Sequence, residues 1–267
     1  MDGRLIVIEG PDHVGRSLHV RLLANHLEAR GVAVTTVGLA RSPLLGENLK
    51  SKTHDLHALD SRTRSLLYAT DLHDQLIHVV NPALEAGFVV LADRYTMTPI
   101  IRERMRGGDQ AWIESLYAGT PQPDLTVVLS AGPRRLLNRI LFGEELQTLN
   151  DFEAGMDLNL SPSVTTSFLA YQKMVREAFA KEAEAAGHPV VQTRYDVRDV
   201  HRSIWEVAVP VVEHMLHPWF CGGPRHLGRC RAASTQAQAT ATCRLYNGTK
   251  PCIGAGSPHL PHPRPFD

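Results

Sequence analysis

The amino-acid sequence predicts an α/β fold: a doubly wound five-stranded parallel sheet with helices on both faces, followed by a disordered tail. Three observations carry this. Strand-like and helix-like patterns alternate along residues 1–216, the order that builds βαβ units. The strand candidates are short, nearly continuous apolar runs, as strands covered on both faces must be. The helix candidates are longer, repeat apolar residues every three or four positions, and stop at glycine.

RLIVIE (4–9) reads as the first, buried strand. Ser17 to Arg30 reads as a helix, with Val20, Leu22, Leu23 and Leu27 apolar and Gly31 as its stop. VAVTTV (32–37) is the second strand. A long helical pattern runs from Ser61 to Ala86, and Pro82 should kink or divide it. FVVLADR (88–94) is the third strand, and two short helices are expected at 97–105 and 109–118. PDLTVVLS (123–130) is the fourth strand, followed by a helix at 133–143. Residues 144–160 read as a mobile polar segment. Leu160 to Ala186 reads as a long helix, HPVVQTR (188–194) as the fifth strand, and 198–216 as the last helix.

The chain thus divides into two domains of unequal character: an α/β domain at 1–216 and a low-complexity tail at 217–267. It has 28 basic and 28 acidic residues among 267, a balance that argues against a nucleic-acid or membrane partner. The tail holds six basic residues against Asp267 alone, so the first 216 residues are net acidic. All four cysteines, Cys221, Cys230, Cys243 and Cys252, lie in the tail. Their spacing lacks the close pairs of a structural zinc site. A body without cysteine suits a reducing cytoplasm, and no secretory signal or membrane span is read.

The turn after the first strand carries the chemistry. Gly10 and Gly15-Arg16-Ser17 keep the spacing G-x-x-x-x-G-K-[ST], with arginine at the lysine position. Glycines let backbone N–H groups turn inward onto phosphate oxygens, and the helix after the turn adds its positive end. The loop Gly10, Pro11, Asp12, His13, Val14, Gly15, Arg16, Ser17, with Leu18 behind it, is therefore the expected phosphate-binding site. The Ser17 hydroxyl is placed to ligate Mg²⁺. Arginine keeps the charge and grips phosphate as a planar fork, where lysine is a compact point charge. A turn that merely needs glycines is the alternative. A second signal, Asp93-Arg94-Tyr95, ends the third strand, where ligands of open α/β sheets gather. Asp93 suits a metal held through water and Arg94 an acceptor phosphate; a salt-bridged loop is the plainer reading.

With "IEGPDHVGRS", "ARSPL", "LLYATDLHDQLIHVVNPALEAG", "DRY" and "PDLTVVLS" in this order, the chain resembles the thymidylate kinases, nucleoside-monophosphate kinases of P-loop fold, over residues 3–215. The resemblance implies transfer of the γ-phosphoryl of ATP, with Mg²⁺, to thymidylate, giving dTDP, and assigns the phosphate-binding loop from Gly10 to Leu18 to ATP. It implies Arg16, Asp93, Arg94 and His13 as catalytic, the last where some members carry an arginine. It implies Asp12, Arg41, Tyr68 and Arg94 for the acceptor, Ser17 and Asp93 for the metal, and Arg139 beside the adenine. From the residues alone, Tyr68 also reads as a core aromatic and Arg139 as a solvated helix charge.

The chain departs from the family at the acceptor. Leu72 replaces an arginine that reads the base, and TPIIRE (98–103) replaces S-x-x-A-Y-Q. In the lid segment, Phe152 and Glu153 are kept, but Asp151 and Phe142 stand where arginines are usual. Few lid cations predict slow turnover. Two other readings stay open: a nucleotide-binding module of weak catalysis, and a P-loop kinase with a different acceptor. The partners implied are ATP and a nucleoside monophosphate, with a homodimer through the long helices as an open alternative to a monomer. All histidines but His13 are read as solvated or locally hydrogen-bonded.

Overall fold

The computed structural model describes residues 2–45, 59–142 and 149–216. The tail with its four cysteines, His54, His57 and residues 143–148 of the lid segment lie outside the described residues.

β1 (Arg4–Glu9), β2 (Val34–Gly38), β3 (Val89–Asp93), β4 (Leu125–Ser130) and β5 (Val190–Gln192) form one sheet in the order β2-β3-β1-β4-β5. Every pairing is parallel. The chain crosses from one side of β1 to the other between β3 and β4, which leaves a crevice at the carboxyl end of β1.

Alternation along the strands divides the core. Ile6 and Ile8 pack on one face with Leu23, Leu27, Leu129 and Ile204. Leu5 and Val7 pack on the other with Val80, Val90, Leu76 and Leu84. The first face is covered by α1 (Arg16–Glu28) and α8 (Val197–Val212), the second by α2 (Ser61–Gln75) and the helical turns between it and β3.

The expected long helix at 61–86 is three pieces: α2, a π-helical turn Leu76–Val80, and α3 (Asn81–Glu85). The break therefore begins ahead of Pro82. Proline has no N–H to donate, and its ring crowds the carbonyl four residues back, so the turn before it widens. α4 (Met97–Met105), α5 (Gln110–Ser115) and α6 (Pro133–Leu141) lie close to their expected places.

Two expectations are corrected. β5 covers only three residues of the seven expected, since Thr193 onward turns away to make the wall of a cleft. Residues 149–160 are more ordered than a polar mobile segment: they make turns and a short 3₁₀ helix at Met156–Leu158, with Phe152 and Ala154 buried. α7 (Val164–Ala186) then begins at a Ser163 cap and ends on Gly187.

Candidate functional site

The loop between β1 and α1 is shaped by two glycines. Gly10 has φ 135° and lies against β4, where a Cβ would collide with the Leu129 carbonyl. Gly15 has φ 101° and caps α1. His13 also adopts a left-handed conformation, at φ 58°.

The structure brings Asp12, Arg16, Ser17, Arg41, Asp93 and Arg94 together at the carboxyl ends of β1 and β3. Arg16 is turned back into the loop. Its Nη1 donates to the Gly10 carbonyl at 2.7 Å and to the Pro11 carbonyl, and its Nε to Asp93 Oδ1 at 3.2 Å. Asp93 Oδ2 accepts from Ser17 Oγ at 2.5 Å and from Arg41 Nη2 at 2.7 Å. Burial opposes the charge on Asp93, but Arg16, the Ser17 hydroxyl and Arg41 hold its carboxyl below its usual range.

Asp12 lies at the centre of a second cluster. One of its oxygens accepts from Arg94 Nη2 and the other from Arg102 Nη2. Burial again works against the carboxylate, and Arg102, Arg94 and Arg16 outweigh it, so Asp12 stays ionised far below the usual range. Arg94 is buried with φ 74°, and its Nη1 donates to Thr98 Oγ1 at 3.0 Å. Burial, then the charge of Arg16, pull its guanidinium below its usual value. Asp12 and Asp93 are met by the guanidiniums of Arg16, Arg41, Arg94 and Arg102, which still outnumber the carboxylates when Glu9, acting on Arg94, is counted, so the crevice is short of negative charge.

Sequence reasoning missed the residues that hold this arrangement in place. Glu9, fully buried, accepts from Tyr95 N at 2.8 Å and Thr98 Oγ1 at 2.5 Å, fixing the turn after β3. Asp71, also fully buried, accepts from Ala40 N and Ser42 N, each at 2.8 Å, and so holds the Arg41 loop to α2. Arg64 and Glu103 form a buried fork at 2.6 and 2.7 Å. The available signal was placement: Asp71 and Gln75 sit on the buried side of α2 with Tyr68 and Leu72.

His13 Nε2 lies 2.8 Å from Glu153 Oε2, so the kept lid glutamate reaches the loop. Tyr68 is buried, and burial raises its hydroxyl; Arg102, Glu103, Arg64 and Arg94 are its charged neighbours. It therefore faces the polar crevice and not the apolar cluster. Leu72 instead packs in that cluster, with Ala69, Tyr95 and Ile113.

Arg139 is not a solvated helix charge. It donates to the His13 carbonyl at 3.1 Å, to the Val14 carbonyl at 2.9 Å and to the Thr193 carbonyl at 3.0 Å. It thereby borders a cleft of about 250 Å³ with Gly15, Leu18, His19, Tyr195 and Val200. His19, read as solvated or locally hydrogen-bonded, is buried and so not solvated, and its Nδ1 has no hydrogen-bond partner among the described residues. His26 Nδ1 meets His201 Nε2 at 3.0 Å. Among the described residues no group of histidine and acid ligands could hold a metal by itself, and no helix is long and apolar enough to cross a membrane.

A parallel sheet of this order, with a glycine loop turning from its first strand into a helix, defines a P-loop nucleotide-binding protein. The chain belongs to the thymidylate kinase family, whose model matches residues 8–204. It is 29% identical over 225 residues to the probable thymidylate kinase 2 of Saccharolobus solfataricus, covering 81% of this chain and all of that one. It is 29% identical over 211 residues to the probable thymidylate kinase of Thermococcus gammatolerans, covering 76% and 94%. The crystal structure of thymidylate kinase from Ehrlichia chaffeensis shares the fold, with a TM-score of 0.57 at 20% identity over 77% of this chain and 98% of that one. The family is one of nucleoside-monophosphate kinases that use ATP, generally with Mg²⁺, to phosphorylate dTMP.

Proposed function

We propose that this chain transfers the γ-phosphoryl of ATP to the 5′-phosphate of a nucleoside monophosphate, thymidylate first, and does so more slowly than a typical family member. The observation that supports it most is the anion-short crevice: four guanidiniums converge on Asp12 and Asp93 beside the glycine loop. Phosphoryl transfer demands positioning and charge neutralisation, and no covalent intermediate.

The loop amides and Arg16 hold the ATP phosphates, and the base enters the cleft beside Arg139. Arg41 and Arg94 hold the acceptor phosphate in line. Ser17 Oγ and the Asp93 carboxylate offer adjacent hard oxygens, a donor set that fits Mg²⁺ with Asp93 acting through water. Bound there, Mg²⁺ would neutralise charge on the ATP phosphates. His13, within the loop, is held by Glu153 at 2.8 Å. Residues 1–216 are read as the whole catalytic unit, so a chain ending at Leu216 is expected to bind ATP as tightly as the full chain.

Slow turnover is supported by Arg16. Its donors are spent on loop carbonyls and on Asp93, so it must rotate out before it can reach phosphate. The same contact favours the second reading, a nucleotide-binding module of weak catalysis. A coupled ATP-consumption assay with dTMP separates the two. Turnover is expected below the roughly 1–100 s⁻¹ of ordinary kinases. If ATP raises the melting temperature and no monophosphate is phosphorylated, the binding-module reading replaces this one.

A further inference from the structure

Arg102 on α4 is not accounted for by the transfer itself. Its guanidinium lies 5.6 Å from the centre of the Phe152 ring, which also receives Arg64 at 5.1 Å and Arg106 at 3.6 Å. Each of the other two has a carboxylate to itself: Arg64 has Glu103, and Arg106 has Asp157 at 2.7 Å. Arg102 shares Asp12 with Arg94. Its Nε is buried with no hydrogen-bond partner among the described residues, in a residue only 8% exposed. An arginine donor left unmet at that depth is costly unless a ligand meets it.

The surroundings indicate the kind of ligand. Asp12 and Arg94 stand on one side, the Phe152 ring on another, and the neutral Tyr68 phenol is near enough to feel the charge of Arg102. The Phe152 face is already covered by Arg106, which leaves the Tyr68 ring beside the crevice as the surface that suits a flat base. A guanidinium only donates hydrogen bonds. It therefore accepts a base edge that carries a carbonyl oxygen and rejects one that carries an amino group in that place. Leu72, at the family's base-reading position, is packed in the apolar cluster and has no donor to give.

We propose that Arg102 is the acceptor-specificity residue of this chain: it reads the exocyclic oxygen of a keto base, so that 4-oxo pyrimidine monophosphates are bound and their 4-amino counterpart is excluded. The base-reading guanidinium has thus moved from α2 to α4. This rests on the reading of the crevice as an acceptor site.

Calorimetry with dTMP, dUMP and dCMP, in the presence of a non-hydrolysable ATP analogue, tests it without requiring transfer. In the wild-type chain dTMP and dUMP are expected to bind at least about tenfold more tightly than dCMP, the size of one unmet charged hydrogen bond. Arg102→Gln presents both a donor and an acceptor, so that ratio should fall towards one. Arg102→Lys remains donor-only and should keep it. A merely structural arginine would weaken all three ligands together and leave the ratio unchanged. That outcome overturns the proposal, as does equal wild-type affinity for dTMP and dCMP, or no heat with any of the three. Selective binding without turnover would sink the proposed reaction and leave the role of Arg102 standing.

Discussion

The two halves of the crevice are built by different means. On the proposed donor side, the loop is made by glycines at positive φ, and Arg139 ties the carbonyls of residues 13, 14 and 193 beside it. On the proposed acceptor side, buried side-chain charges do the building, with Asp12 between Arg94 and Arg102 and Glu103 on Arg64. Glycine turns arise from local sequence and tolerate change elsewhere. A buried charge network depends on every member, because removing one partner strands the other in a medium that cannot solvate it.

The strongest way to break this contrast is Asp12→Ala. It leaves two buried guanidiniums without their carboxylate and is expected to cost about 3–5 kcal/mol. Urea denaturation of the folded chain measures it; a loss below about 1 kcal/mol would show that the acceptor network is no more demanding than the donor side. Arg16→Lys sharpens the comparison next. Lysine cannot fork onto the loop carbonyls and Asp93 together, so more of its charge is free for phosphate. Turnover is expected to rise about tenfold, or roughly 1.4 kcal/mol in the barrier; a fall in rate would mean that the inward arginine is the working form.

The smallest effect lies behind the donor cleft. Burial first, then His201 and Arg139, hold His19 down to about 4. The unfolded chain therefore takes up a proton first as the pH drops below about 6.5. Stability is intact above that pH and is lost progressively towards 4. His19→Gln should flatten this decline by about 1 kcal/mol. Melting curves at pH 7 and pH 5 read it directly, and an unchanged slope would place the loss elsewhere.

The readable parts share a physical feature. G-x-x-x-x-G-R-S could be placed because the glycines and the strand before them act within eight residues of one another. Asp93 and Arg94 were legible because a strand end declares its own position. Arg102 and Asp71 were not, since each looks like an ordinary polar residue of a helix until its partner, 90 and 30 or so residues away, is brought beside it. Arg139 also reads as a solvated helix charge, and only the approach of its helix to the loop removes that reading. Leu72 was seen as a departure, but its packing against Ile113 is a property of the fold.

By itself the sequence determined the alternation of strands and helices and the glycine turn after the first strand, since both are set by short-range backbone preferences and apolar periodicity. Tertiary structure alone decided where the charges go: which guanidinium shares a carboxylate, which has one to itself, and which turns back on its own loop. Those outcomes depend on distances between residues far apart in the chain, and on burial that makes each unpaired charge expensive.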